Sequence, residues 1–158
     1  MSYVGDNGQI SAVLRTDADI RSLTYPNGTT TRFTAPGSET AGQFGLFEWT
    51  MVARTDRGRG HFHKTFSESF FILSGQVELF DGEKWTITRP GDFLYVPMGG
   101  IHGFRNPADE EAKMLILFAP APPREKYFEA LAEIRESGRV LTDDEWTALY
   151  AEHDQYMV

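Results

Sequence analysis

Cysteine is absent from this 158-residue chain, and histidine is scarce, with only four residues. The lack of cysteine excludes disulfides and thiolate metal ligands. Any metal site must therefore use histidine, carboxylate, amide or water. Such a donor set suits zinc, iron, manganese, cobalt, nickel or copper, and it does not choose among them.

Basic residues are also few. Fifteen lysines and arginines face 23 acidic residues, which gives a net charge of −8 and argues against a nucleic-acid partner. No apolar run approaches the roughly 20 residues of a membrane span. The first residues, MSYVGDNGQ, lack both a basic region and an apolar run, so we expect no signal peptide and a cytoplasmic location.

Two of the four histidines stand one residue apart in the stretch HFHKTFSESFFILSG, from His61 to Gly75. Side chains alternate along a strand, so His61 and His63 face the same way and can converge on one ion. Glu68 lies at an odd offset from His63. It can join them only if the chain turns between residues 64 and 67, after which a second strand would point Glu68, Phe70 and Ile72 inward.

A third histidine, His102, follows a second dense segment, GDFLYVPMGGIHGFRN. A turn at Pro90-Gly91, an apolar strand over 93–96 and a Gly-rich turn at 97–100 precede it. A histidine just past such a turn can be aimed inward by the strand that begins there. We therefore predict that His61, His63, Glu68 and His102 hold one divalent transition metal. The alternative is a barrel that kept these turns and lost its metal.

Composition changes along the chain, because every glycine except Gly138 precedes residue 104. Residues 1–122 read as short strands between turns, which predicts an all-β barrel or jelly roll. The predicted strands cover residues 11–16, 21–25, 29–34, 44–54, 77–80, 84–88 and 112–119. Asp81-Gly82 predicts a two- or three-residue hairpin.

Residues 123–158 read as a helical extension packed on the same domain. Pro122-Pro123 opens one helix, which Gly138 ends, and Thr142 with Glu145 forms a capping box for a second. We interpret these helices as a solvated flank of the barrel, including His153. A lid or a subunit contact is the alternative.

The two histidine segments resemble the paired motifs of the cupin superfamily. In the first, His61, His63, Glu68 and Gly75 match, whereas Thr55 stands where the family has its leading glycine and Gly58 and Gly60 lie nearby. The second motif matches at every place, listed as Gly91, Pro97, Gly99, His102 and Asn106. The resemblance implies a double-stranded β-helix, or jelly-roll barrel, with short C-terminal helices, and all four family metal ligands are present. It also implies a homodimer, to which the N-terminal strands contribute.

Three functions follow as hypotheses. Residues 38–51 and the helical tail resemble single-domain cupins related to quercetin dioxygenases, which implies a metal-dependent dioxygenase acting on an aromatic, flavonol- or polyketide-like small molecule. A cyclase or isomerase that uses zinc as a Lewis acid is the first alternative. A cupin that binds a small molecule without turnover is the second.

Glu68 has two candidate roles, as a metal ligand and as a general base. Several aromatic residues are candidates for a substrate pocket, although each also suits a barrel core: Phe47, Trp49, Phe70, Tyr95, Phe104 and Phe118. Arg59 is a weaker candidate for contact with an anionic substrate.

Overall fold

The computed structural model describes residues 2–56 and 58–158. These residues form eleven strands and two α-helices, together with 3₁₀ turns at Asp17–Asp19 and Gly37–Glu39. The strands are β1 (Ser22–Thr24), β2 (Thr30–Ala35), β3 (Gly45–Met51), β4 (His61–Phe62), β5 (Ser67–Ser74), β6 (Val77–Phe80), β7 (Trp85–Thr88), β8 (Phe93–Val96), β9 (Gly103–Arg105), β10 (Ala112–Ala119) and β11 (Tyr156–Met157). The helices are α1 (Arg124–Ser137) and α2 (Asp143–Glu152).

Six strands form the largest sheet, in the order β1-β2-β3-β10-β5-β8. A three-stranded sheet, β7-β6-β9, and the two-stranded pair β11-β4 complete the β structure of the described residues. All of these strand pairs are antiparallel. Strand β1 lies at one edge of the six-stranded sheet, and the homodimer stays a prediction.

Alternation of side chains explains the core. Along β3 and β10 every second residue is buried, as the period of a half-buried strand requires. The inward residues of these two strands are Gly45, Phe47, Trp49 and Met51, and Ala112, Met114, Ile116 and Phe118. The aromatic core they start is extended by α1, whose Phe128 ring lies 5.2 Å from that of Phe47 and 5.3 Å from that of Trp49.

Most of the predicted strands are confirmed, with two corrections. Residues 11–16 form no strand, because Val13 and Leu14 are exposed and pair with no neighbouring strand in the described residues. The hairpin between β6 and β7 has a four-residue loop, Asp81 to Lys84, and not the shorter turn predicted. The Asp81 side chain accepts hydrogen bonds from the backbone N–H groups of Glu83 and Lys84, which widens the turn.

Gly75 directly follows β5 and adopts the left-handed backbone conformation, at φ +69°. A Cβ atom at this position would lie 2.3 Å from the carbonyl oxygen of Glu111, so both the backbone angle and the close approach require glycine. This turn sends the chain into β6 and closes the first histidine motif.

Both predicted helix signals are confirmed. Gly138 caps α1 in the left-handed conformation, at φ +68°. Thr142 and Glu145 form the predicted capping box at the start of α2. Among the described residues, no helix is both long and apolar enough to cross a lipid bilayer.

Candidate metal centre and adjoining cavity

The structure brings His61, His63, Glu68 and His102 together in the interior, and all four are buried. One potential donor atom from each lies within 4.8 Å of every other. Glu68 Oε2 lies 2.9 Å from His63 Nε2 and 2.9 Å from His102 Nε2. The predicted convergence of these four side chains is therefore confirmed, and we call them the four-residue cluster.

Backbone pairing aims two of the histidines. His61 and His102 form an isolated antiparallel bridge, in which each backbone N–H donates to the other's carbonyl at 2.9 Å. Their side chains therefore leave the backbone on the same side, with ring centroids 4.3 Å apart. The close pair joins the two sequence motifs directly.

The turn that allows Glu68 to join is present between β4 and β5. The Asp154 carboxylate accepts hydrogen bonds from the backbone N–H groups of Lys64 and Thr65 and from the Thr65 hydroxyl. Strand β5 then begins at Ser67, and Glu68, Phe70 and Ile72 are all buried, as predicted. An acidic side chain from the end of the chain thus shapes the turn inside the first motif.

Each histidine ring is oriented by a backbone carbonyl. His61 Nδ1 lies 3.2 Å from the carbonyl oxygen of Arg59, and His102 Nδ1 lies 3.0 Å from that of Gly100. His63 Nδ1 lies 2.6 Å from the carbonyl oxygen of Asp154. Because a carbonyl only accepts, Nδ1 carries the proton in all three rings, and each neutral ring keeps its lone pair on Nε2.

The electrostatics of the cluster favour a bound cation. Burial and the neighbouring His102 lower the pKa of His61 to about 3, so this ring is neutral. Burial raises the pKa of Glu68, but His102 and His63 outweigh it and hold that pKa well below its ordinary value. Burial lowers the pKa of His102, but the Glu68 carboxylate outweighs burial and raises it. A carboxylate and imidazole nitrogens 2.9 Å apart thus require positive charge between them.

The donor set fits a divalent transition metal. Histidine nitrogen and carboxylate oxygen bind such ions at about 2.0–2.2 Å. Two ligands at right angles around an ion at ~2.1 Å lie about 3.0 Å apart, which agrees with the 2.9 Å separations at Glu68 Oε2. Protein carbonyls on the far side of each ring are the usual outer support of metal-bound histidine.

A cavity of about 270 Å³ adjoins the cluster, and His61 and Glu68 form part of its wall. Its other walls come from the barrel strands, from α1 and from the C-terminal segment, with Trp49, Phe104, Phe118, Arg124, Tyr127 and Gln155 among the lining residues. The volume lies just below the usual range of small-molecule sites, which is about 300–1,000 Å³. The cavity therefore suits a compact ligand.

The aromatic candidates divide into three groups. Trp49, Phe104 and Phe118 line the cavity as predicted. Phe47 and Phe70 are buried in the core and do not line the cavity. The prediction for Tyr95 was wrong, because β8 turns this side chain outward, where it is 58% exposed. Arg59 lines the cavity through an exposed side chain, and its carbonyl orients His61.

Sequence reasoning missed three contributions from the end of the chain. Asp154 orients His63, Gln155 and Arg124 line the cavity, and β11 pairs with β4 so that Met157 lies opposite His61. One signal was available for Arg124, since it is the first residue of α1, where the helix dipole disfavours a positive charge. The sequence contained no such signal for Asp154. Its contribution comes from a backbone carbonyl and from a left-handed φ of 54°, and neither can be predicted from the pattern of side chains.

Comparison with known proteins agrees with this architecture. Residues 47–118 match the family described as the cupin domain. Several solved cupin structures resemble the fold. A cupin-superfamily sugar phosphate isomerase from Silicibacter pomeroyi superposes with a TM-score of 0.58 at 23% identity, over 69% of this chain and 77% of that one. The predicted resemblance to the cupin superfamily is confirmed over residues 47–118. The fold of the described residues is the double-stranded β-helix of these solved structures, with two short helices.

Two curated relatives are similar in sequence. A quercetin 2,3-dioxygenase from Bacillus subtilis is 35% identical over 75 residues, which are 47% of this chain and 22% of the relative. The polyketide synthase CurC of Streptomyces cyaneus is 28% identical over 106 residues, which are 66% of this chain and 64% of the relative. The matched segment thus spans less than two thirds of the length of either relative.

Proposed function

We propose that the protein is a metal-dependent dioxygenase acting on a compact aromatic, flavonol- or polyketide-like small molecule. The proposed ligands of one divalent transition metal are His61, His63, Glu68 and His102. The observation that carries the proposal is the orientation of the cluster. Three imidazoles, each with Nδ1 on a backbone carbonyl, converge with one carboxylate, so that a donor atom of each residue lies within 4.8 Å of the others.

The position of the cavity favours catalysis over a purely structural ion. His61 and Glu68 border the cavity, so a ligand in it reaches the cluster directly. Three nitrogens and one oxygen leave two positions of an octahedral ion for other ligands. When bound, such a metal would supply Lewis acidity and, if it is redox-active, activation of dioxygen.

The residues of the chain have separate roles in this proposal. Glu68 is ionised and faces the cavity, so it can accept a proton from a substrate hydroxyl placed there. The rings of Trp49, Phe104 and Phe118 hold an aromatic substrate and exclude water. Similarity to a quercetin dioxygenase supports oxygenation as the reaction.

A cyclase or isomerase that uses the same cluster for Lewis-acid chemistry is the second candidate. Two observations favour it, namely the similarity to CurC over two thirds of the chain and the cavity itself, which needs no redox-active ion to hold a polyketide-like substrate. Zinc would suffice for this chemistry, whereas dioxygen chemistry requires a redox-active metal. A cupin that binds the same ligand without turnover is the third candidate.

Metal analysis followed by oxygen uptake tests the proposal. We expect about one metal ion per chain in purified protein, measured by elemental mass spectrometry. We also expect flavonol-dependent oxygen uptake after loading with iron, manganese, nickel, cobalt or copper, and none with zinc. Full metal binding without uptake in any of these five forms would reject the dioxygenase. Cyclised or isomerised product from the zinc form would then select the second candidate.

A further inference from the structure

Arg124 carries a positive charge into the interior. Its side chain is 4% exposed, and it is the only arginine or lysine of residues 2–56 and 58–158 that is buried. Burying a guanidinium without a counter-charge is strongly unfavourable, because the charge loses its hydration. A natural protein keeps such a group only where something offsets that cost.

The partners of Arg124 are neutral. Its Nη1 donates to the carbonyl oxygen of His153 and its Nη2 to Gln155 Oε1, both at 3.2 Å, whereas Nε has no partner. No carboxylate in the described residues lies within 4.0 Å of the guanidinium. Two of its five N–H donors are accounted for, so it can still donate to a ligand.

Aromatic rings hold the guanidinium in a fixed position. Its central carbon lies 4.4 Å from the ring centroid of Tyr127, 5.1 Å from that of Phe118 and 5.5 Å from that of Phe66. Such contacts attract a cation but supply no negative charge. Arg124 is therefore oriented in advance, and no carboxylate of the described residues touches it; Glu68 and Asp154 act on its charge only from beyond 4.0 Å.

The cavity wall is positive although the whole protein is acidic. Among residues 2–56 and 58–158, the lining includes three arginines, Arg59, Arg124 and Arg135, and one carboxylate, Glu68. Glu68 lies 2.9 Å from both His63 and His102, and it makes no ion pair with any of the three arginines. Because the chain as a whole has a net charge of −8, an excess of positive charge at the cavity indicates a local preference for an anionic ligand.

We propose that Arg124 binds an anionic oxygen of the substrate, from a carboxylate or from an ionised phenol or enol, through its free N–H groups. The substrate is thus an anion held between Arg124 and the four-residue cluster. The placement of its reacting end rests on the proposed function, whereas the anion site at Arg124 does not.

Binding of small aromatic probes to the zinc-loaded protein tests the proposal. Benzoate and 4-nitrophenolate supply the two kinds of anionic oxygen, and benzamide is the neutral match for benzoate. By isothermal titration calorimetry we expect at least one of the two anions to bind about tenfold or more tightly than benzamide. The anion with the higher affinity identifies the type of anionic oxygen that Arg124 binds. Equal affinity for all three would overturn the proposal.

Substitutions then assign the site to Arg124. Arg124→Gln should weaken anion binding about tenfold or more and leave benzamide binding unchanged. Lys126→Gln removes a positive charge from an exposed position of the same helix and should change neither. Anion binding that survives in Arg124→Gln but is lost in His102→Ala would place the anion on the metal and overturn the proposal.

Two further measurements keep the result interpretable. Arg124→Gln could lose its fold, because Arg124 anchors His153 and Gln155, and in that event nuclear Overhauser effects between the bound anion and the Tyr127 ring in the wild-type protein decide the location. Their absence would contradict the proposal. Zinc content is measured in every sample, so a chain that binds no metal refutes the proposed function while the anion preference is still tested.

Discussion

Two regions of the chain build the candidate metal centre, and they differ in how far the sequence alone reveals their role. The donors lie on two short segments, at residues 61–68 and at His102, and are recognisable by residue type and spacing. The C-terminal region, residues 123–158, adds no donor, yet it holds His63, shapes the turn before Glu68 and supplies Arg124. Donor identity is thus local in sequence, and so are the carbonyls that orient His61 and His102, whereas the orientation of His63 depends on a residue 91 positions away.

The largest expected effect is a loss of turnover, caused by a substitution in the segment that carries the donors. Glu68→Gln keeps the size of the side chain and removes its charge, so the substrate proton loses its acceptor. We expect the turnover number to fall by roughly 10²–10⁴-fold, with cooperative thermal unfolding retained. Glu78→Gln, on β6 in the ion pair with Arg105, is the matched control and should leave turnover within about twofold.

Metal content is measured in both variants to separate the two roles of Glu68. Lost turnover with full metal content assigns Glu68 as the base, and lost metal assigns it as a ligand. Turnover of Glu68→Gln within tenfold of the wild-type value, with metal bound, would reject both roles.

The next effect is on metal affinity. His102→Ala removes a buried donor, and we expect affinity to fall by more than about 100-fold, beyond the 10–100-fold loss typical of outer partners. Competition with a chelator measures it. His153→Ala is the control, because His153 is the one histidine outside the four-residue cluster. Unchanged affinity in His102→Ala would exclude this residue as a ligand.

The same contrast explains what the sequence could predict. The strands predicted over residues 44–54 and 112–119, the turn before Glu68, the capping box at Thr142 and the convergence of the four donors all depend on residue type and short spacing, and all are confirmed. These features are decided within a few residues, where side-chain chemistry and backbone preference act directly.

Contacts distant in sequence were the ones missed. The acceptor for His63 Nδ1 is a backbone carbonyl 91 positions away, and any residue type carries a carbonyl. Strand β11 has two residues and was not predicted, because its pairing with β4 and not its own pattern defines it. Tyr95 was misplaced because aromatic residues suit either face of a strand, and only the fold decides which face is inward.

A smaller effect tests whether the C-terminal region supports the metal. Ending the chain after Glu152 removes the carbonyl that orients His63 and the carboxylate that holds the turn at Lys64 and Thr65. We expect metal affinity to fall by about 10–100-fold, the range typical of outer partners. Removing the exposed residues 2–7 is the matched control for length. A folded truncated chain with wild-type affinity would show that the donors need no such support.

The smallest effect is on stability and lies at the start of α2, away from the cluster. Thr142 accepts a hydrogen bond from the backbone N–H of Glu145, and the Glu145 carboxylate accepts one from the backbone N–H of Thr142. Thr142→Ala should lower the free energy of unfolding by about 1 kcal/mol, measured by chemical denaturation. Metal content should stay unchanged, because this cap stabilises the helix without orienting a donor.

Glu145 gives this contribution a pH dependence with a definite sign. The hydrogen bond from the Thr142 backbone lowers the pKa of Glu145 below its ordinary value of 4.5. A lowered pKa in the folded state means that the contribution is present above about pH 4.5 and is lost as pH falls through the lowered pKa. The stability difference between the wild-type protein and Glu145→Gln should therefore shrink on acidification. A difference that is constant from pH 7 to pH 3 would show that the cap does not depend on the charge of Glu145.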